Sequence, residues 1–168
     1  VAFSPLGGES IYTFHEDRGG RIWISTQSGV KSFESGEWKP LANVLQQASV
    51  IHQSRDGSLW VFSNEGLFRY QGSKREVYPL PGILAIDPRR GLLEAEDGAI
   101  WVGLIGGIGR ILNGKVEVLD LKGRLRRDDL IQVISQTSDG SIWGASKWGS
   151  LVRLSSAVFK LVDQRDGL

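Results

Sequence analysis

The chain has 168 residues, the length of one ordinary domain, and 40% of them are hydrophobic, enough to bury a core. Twenty basic against nineteen acidic residues leave a formal net charge of +1, which gives no electrostatic case for nucleic acid or an anionic membrane. The absence of cysteine excludes disulfides and thiolate metal sites, and it suits an oxidising compartment. Methionine is also absent, even at position 1, so the chain reads as a processed or excised piece of a longer protein. It shows no signal peptide and no apolar run long enough to span a bilayer, so any membrane anchor of a parent protein is expected outside this segment.

Residues 1–6, "VAFSPL", are similar to two later segments, "EWKPLA" and "EVYPLP", and are expected to be the outer strand of a preceding unit. From residue 9 onward one pattern returns four times. It is anchored by Trp23, Trp60, Trp101 and Trp143, at spacings of 37, 41 and 42 residues. A glycine stands three residues before each tryptophan (Gly20, Gly57, Gly98, Gly140) and another six residues after it (Gly29, Gly66, Gly107, Gly149). An aliphatic residue immediately precedes each: Ile22, Leu59, Ile100 and Ile142.

Each piece has a physical reading. Asp56-Gly57, Asp97-Gly98 and Asp139-Gly140 are hairpin-turn signatures, and Gly19-Gly20 fills the same slot in the first copy. The short β-branched or aromatic stretch after each turn reads as a strand, as in Ile22 to Ser25. The second glycine marks another turn, and a third strand follows, as in Val30 to Phe33 or Leu67 to Tyr70. Fourth strands are expected at Glu37 to Leu41, Val77 to Leu80, Val116 to Leu119 and Val158 to Leu161. First strands precede the turns at Ile11 to His15, Val50 to His52, Leu92 to Ala95 and Gln132 to Ser135.

The expected fold is therefore all-β, with one four-stranded antiparallel sheet per repeat of about forty residues and no helical periodicity. A sheet of this size cannot bury both faces alone. Radial stacking covers them, which gives a β-propeller whose sheets are blades, with each tryptophan an inter-sheet plug. The boundaries are residues 9–41, 48–80, 90–121 and 131–161 for blades 1 to 4, with 162–168 leading into a further blade. Four blades with a surplus N-terminal strand are expected to be part of a seven- or eight-bladed ring. Their open apolar faces call for adjacent blades of the same parent or for self-association.

The pattern D-x-x-G-x-I/L-W-I/V-x-S/T, then x-x-G, then an aliphatic strand, resembles the two-component regulator propeller repeat. "EDRGGRIWISTQSGV" is the best match, while Leu104 in the third copy and Gly144 in the fourth depart from it. The ending "VDQRDGL" resembles the lead-in to another repeat. The resemblance implies a bacterial, periplasmic or otherwise extracytoplasmic sensor region. Such regions stand upstream of an immunoglobulin-like module, a membrane span, and a histidine kinase or diguanylate cyclase. It implies ligand sensing or signal relay, with membrane attachment through parent segments alone. The alternative is a protein-interaction propeller without a small ligand. A third reading is a lyase- or hydrolase-type enzyme, since some related-looking propellers are lyases. It needs converging histidine, carboxylate and metal groups that the sequence does not assemble, so no catalytic residue, cofactor or metal is assigned.

Several residues invite chemistry and read more simply as structure. His15 and His52 share one repeat position, eight residues before their tryptophans, and Glu16, Gln53, Glu94 and Gln136 share the next. Such equivalence is what a repeat constraint gives. "GLIGGIG" at residues 103–109 resembles a glycine-rich phosphate loop but lacks a lysine and a following helix. The candidate ligand contacts lie in loops outside the repeat consensus: Gln27 with Ser28, Asn64, Glu65, Lys147 and Trp148, which are expected on one face. Trp148 fits no repeat slot and suits stacking on a sugar, a base or a partner. Arg124, Arg126 and Arg127 could pair with the carboxylate of an acidic sugar, or form a solvated turn balanced by Asp128 and Asp129. The expected ligand is thus a small molecule such as a carbohydrate.

Overall fold

The computed structural model describes residues 6–41, 48–63, 65–80, 91–121, 123–126, 128–155 and 158–162. The four tight turns come first in the logic of the fold. Gly20, Gly57, Gly98 and Gly140 have φ of 76°, 84°, 84° and 79°, a region that glycine enters without steric cost. In blades 2 to 4 the aspartate one residue earlier closes the turn with its side chain. Ser58, Ala99 and Ser141 donate their amides to Asp56, Asp97 and Asp139 at 2.9, 2.9 and 3.0 Å. In blade 1 the carboxylate comes from Asp17 instead, which accepts the amides of Gly19 and Arg21 at 2.9 and 3.0 Å.

Each turn joins the first two strands of a four-stranded antiparallel sheet. Blade 1 holds β1 (Ile11–Glu16), β2 (Ile22–Thr26), β3 (Gly29–Glu34) and β4 (Glu37–Pro40). Blade 2 holds β5 (Val50–Gln53), β6 (Leu59–Ser63), β7 (Gly66–Gln71) and β8 (Lys74–Tyr78). Blade 3 holds β9 (Leu92–Glu94), β10 (Ile100–Leu104), β11 (Gly107–Leu112) and β12 (Lys115–Asp120). Blade 4 holds β13 (Ile131–Gln136), β14 (Ile142–Ser146), β15 (Leu151–Ser155) and β16 (Val158–Val162). The chain is all-β, four blades in simple meander order.

Two local readings need correction. The fourth strand of blade 2 runs Lys74–Tyr78, earlier than expected, because Gly72 (φ 59°) turns the chain at once and Pro79 ends the pairing without an amide to donate. In blade 3 the left-handed turn residue is Gly106 (φ 68°), not Gly107. A Cβ on Gly107 would stand 2.5 Å from the Leu119 carbonyl oxygen, so this glycine answers a close backbone approach.

Blades 1 and 2 form one compact unit, and blades 3 and 4 another. In the first unit Trp23 packs with Ile51, Leu59, Val61, Phe68 and Tyr70 of blade 2. In the second, Trp101 packs with Ile131, Ile134, Ile142, Val152 and Leu154 of blade 4. The tryptophan of one blade is thus the plug against the next blade's sheet, worth roughly 3–5 kcal/mol per indole. Trp23, Trp60 and Trp101 are 7%, 5% and 7% exposed. All four tryptophans stand at equivalent register positions, as expected, but the expectation that all are buried fails at Trp143, which is half-buried. Trp23 and Trp101 each have the following blade of their unit over them. Gly144, a departure from the repeat, faces Ile108 and Ile131, and an added Cβ would meet them at 3.1 and 3.2 Å.

Candidate functional site

In the second unit the loop between β14 and β15 is built on one buried carboxylate. Asp129 is 0% exposed, and a buried charge must be met by donors. It accepts the Ser146 hydroxyl at 2.6 Å, the Ser150 hydroxyl at 3.3 Å and the Trp148 amide at 3.2 Å. The Lys147 amide donates to the Leu130 carbonyl at 2.9 Å. Gly149, at φ 87°, completes the turn. The indole of Trp148 is left 57% exposed, with the Lys147 ammonium 5.5 Å from its ring centroid. An exposed aromatic ring on a backbone pinned by a charge-assisted network is a preorganised stacking surface.

The segment between blades 3 and 4 carries the other candidates. Buried Leu121 and Leu125 anchor it, and the Leu125 amide donates to the Leu121 carbonyl at 3.0 Å. Arg124 and Arg126 are exposed, and the Arg126 carbonyl accepts the Asp129 amide at 3.0 Å. The structure therefore ties Arg126, Asp129, Lys147 and Trp148 through one hydrogen-bonded loop pair. Arg127 lies outside the described residues, as does Asn64.

Gln27 and Glu65 belong to the first unit, each exposed in the turn between the second and third strands of its blade. The turn of blade 1 has a carboxylate anchor of its own. Glu9 accepts the Ser28 hydroxyl at 2.9 Å and the Lys31 ammonium at 2.9 Å. The Lys31 hydrogen bond, then those of Thr26 and Ser28, hold its carboxyl down at about 2. Glu9 stands two residues before β1, as Asp129 stands two before β13, and both of these first strands carry the same register shift. Neither carboxylate was singled out as an anchor from sequence. The signal available was their common offset from the strand start and the small polar residues of the loops they hold.

The repeat-equivalent polar residues join blade to blade within each unit. Gln53 accepts the Arg18 amide at 3.0 Å, and Gln136 accepts the Glu96 amide at 2.8 Å. His15 and His52 stand opposite Trp23 and Trp60 in register, their rings 6.3 Å apart and tilted by 52°. Among the described residues no three histidine, aspartate or glutamate side chains are grouped to hold a metal. Residues 103–109 form the end of β10, a turn and the start of β11, so the glycine-rich stretch leads into a strand rather than a helix.

Residues 5–28 match the two component regulator propeller family. The curated proteins gave no match. Similar solved structures include a streptogramin B lyase at 23% identity and TM-score 0.74, aligned over 95% of this chain and 56% of that one. A catalytically inactive virginiamycin B lyase from Staphylococcus aureus, in complex with quinupristin, aligns at 20% identity and TM-score 0.73 over 95% of this chain and 57% of that one. The extracellular domain of BT3049 from B. thetaiotaomicron, described as a hybrid two component system, aligns at 20% identity and TM-score 0.73 over 100% of this chain and 25% of that one. The chain thus spans about half the length of the lyases and a quarter of the BT3049 extracellular domain. At these identities the likeness carries the propeller-blade fold.

Proposed function

We propose that this chain, which carries a two component regulator propeller repeat at residues 5–28, is a ligand-sensing and signal-relaying segment of the extracytoplasmic sensor region of a bacterial two-component regulator or diguanylate cyclase. The repeat match and the fold likeness to extracellular sensor domains support that reading. The lyases share the same fold, and lyase chemistry here would require converging acid, base and metal groups. We read the segment as a binding scaffold on the strength of the repeat match.

The observation that carries ligand binding is Trp148, an indole 57% exposed on a loop fixed by the buried Asp129. An indole face stacks on the apolar face of a sugar ring, and Lys147 and Arg126 supply cations for a carboxylate on it. The proposed ligand class is an acidic carbohydrate. Titration calorimetry with a uronic-acid tetrasaccharide tests this. Trp148→Ala is expected to weaken binding at least tenfold while the melting temperature stays within about 2 °C. Undiminished binding by Trp148→Ala, or none by the parent chain, overturns the site.

A further inference from the structure

The chain has two histidines in all, and the fold sets them side by side. His15 lies on β1 and His52 on β5, the first strands of the two blades that make up the first unit. Their ring centroids are 6.3 Å apart. The repeat does not require an imidazole at this position. Leu93 and Ser135 stand opposite Trp101 and Trp143 just as His15 and His52 stand opposite Trp23 and Trp60. The pair is therefore a property of the first unit, not of the blade pattern.

Polar atoms beside the pair are buried with nothing to bond. The Nε2 atom of His15 is buried and has no hydrogen-bond partner among the described residues. Ser25 is 0% exposed, and its hydroxyl is in the same condition. Ser25 pairs with Thr13 as Trp23 pairs with His15. Ser25 and His15 thus share the face of blade 1 that blade 2 covers, one diagonal step apart. A buried nitrogen left in this way calls for a water or an ion.

We propose that His15 and His52 together hold one Zn²⁺ ion between blades 1 and 2, with His15 binding through Nε2. Imidazole suits a borderline dication such as Zn²⁺, whereas Ca²⁺ and Mg²⁺ take oxygen ligands. Zn–N bonds are about 2.0–2.1 Å long, so two imidazoles on one ion have centres about 5 Å apart in tetrahedral geometry and about 6.4 Å apart if collinear. The spacing of 6.3 Å lies within that range, and the rings reach tetrahedral geometry by closing about 1 Å. Two protein ligands leave the remaining positions to water, and the Ser25 hydroxyl is placed to hydrogen-bond one of these. The ion is bound only while the two blades are docked, so it stabilises their contact.

With no cysteine and no third histidine in the chain, zinc binding through imidazole reports on this pair alone. The tag-free chain is titrated with Zn²⁺ while the imidazole nitrogens are followed by NMR. Both rings are expected to shift together and to saturate at one ion per chain, and Ca²⁺ and Mg²⁺ should leave them unmoved. His15→Leu and His52→Ser carry the residues that blades 3 and 4 have at this position. By calorimetry each should bind Zn²⁺ at least tenfold more weakly than the parent chain. Zinc should slow hydrogen exchange in β1 and β5 of the parent chain and not in the variants. Circular dichroism shows whether the variants are folded, and the ring shifts of the parent chain decide the matter if either is not. Rings that shift independently, or that saturate at two ions per chain, mean adventitious binding at separate imidazoles and overturn the proposal. So does a titration that leaves both rings unmoved, in which case an enclosed water serves His15.

Discussion

At the scale of single residues, the recurring tryptophan is half of a pair. Arg69, Arg110 and Arg153 are the cross-strand register partners of Trp60, Trp101 and Trp143, and their guanidinium groups lie 5.8, 5.6 and 5.5 Å from the indole centroids. Each arginine is held by the turn aspartate of its blade, Asp56, Asp97 or Asp139, at 2.6, 2.9 and 2.7 Å. The aspartate therefore shapes the turn and also orients the cation that covers the plug. Blade 1 has Ser32 in that register, and Arg21 from the turn takes the place over Trp23 at 5.4 Å, paired with Glu34 at 3.0 Å. The arginine nine or ten residues after three of the tryptophans is visible in the sequence but passes for an ordinary solvated charge, since only register shows what it covers. The acceptor for the indole N–H varies too: Asp17 at 2.9 Å in blade 1 and Ser54 at 3.3 Å in blade 2, with Ala95 in that slot in blade 3. Burial sets the cost of losing an indole. Trp60→Ala should destabilise the chain by about 3–5 kcal/mol, and Trp143→Ala, half-buried, by about half as much. Denaturant unfolding of both variants measures this, and equal losses would show that the plug at Trp143 is as well covered as the others.

At the scale of elements, the loops are held by polar pairs that span many residues. Asp129 reaches Ser146 and Ser150, and Glu9 reaches Ser28 and Lys31, each from the entry of a first strand to the turn between the second and third strands or the residues beside it. Hydrophobic periodicity locates strands and turns but is blind to such pairs, which is why the blades were legible from Trp, Gly and Asp spacing and the anchors were not. The segments that carry the anchors also vary in length, as the unequal repeat spacings show, so alignment of one copy on another does not line them up. A pH dependence follows from Glu9. The carboxyl of Glu9 is lowered from its ordinary 4.5 to about 2, first by the Lys31 hydrogen bond. A depressed carboxyl stabilises the fold above its unfolded value, and that contribution is lost as pH falls from about 4.5 toward 2. In Asp139 the Thr137 hydroxyl and the Ser141 amide act in the same direction. Stability should therefore drop as pH falls through that range. Glu9→Gln should flatten part of the drop, leaving the share that belongs to Asp139 and to the other lowered carboxyls, Asp17, Asp56, Glu76, Asp97 and Glu117. Unfolding midpoints at a series of pH values read this out, and a Glu9→Gln curve parallel to that of the parent chain would exclude the anchor.

At the scale of the whole chain, four similar blades do not make four similar environments. What distinguishes them is what covers each face, and a blade's own sequence does not contain that information: Ile51 and Phe14 occupy equivalent positions, one 6% and the other 74% exposed. Within each unit, stability comes from the contact between its two blades. Trp23 and Trp101 belong to two clusters that share no residue. In a repeat array, energy is carried by each repeat and its nearest neighbours, so changes in separate contacts should add. Trp23→Ala and Trp101→Ala are each expected to cost roughly 3–5 kcal/mol, with the double variant losing their sum to within about 0.5 kcal/mol. A double-mutant cycle by urea unfolding, with both units followed by hydrogen exchange, gives the coupling term. A coupling above about 1 kcal/mol would mean that the two plugs stabilise one shared core, and that the chain must be treated as a single cooperative body rather than as paired blades.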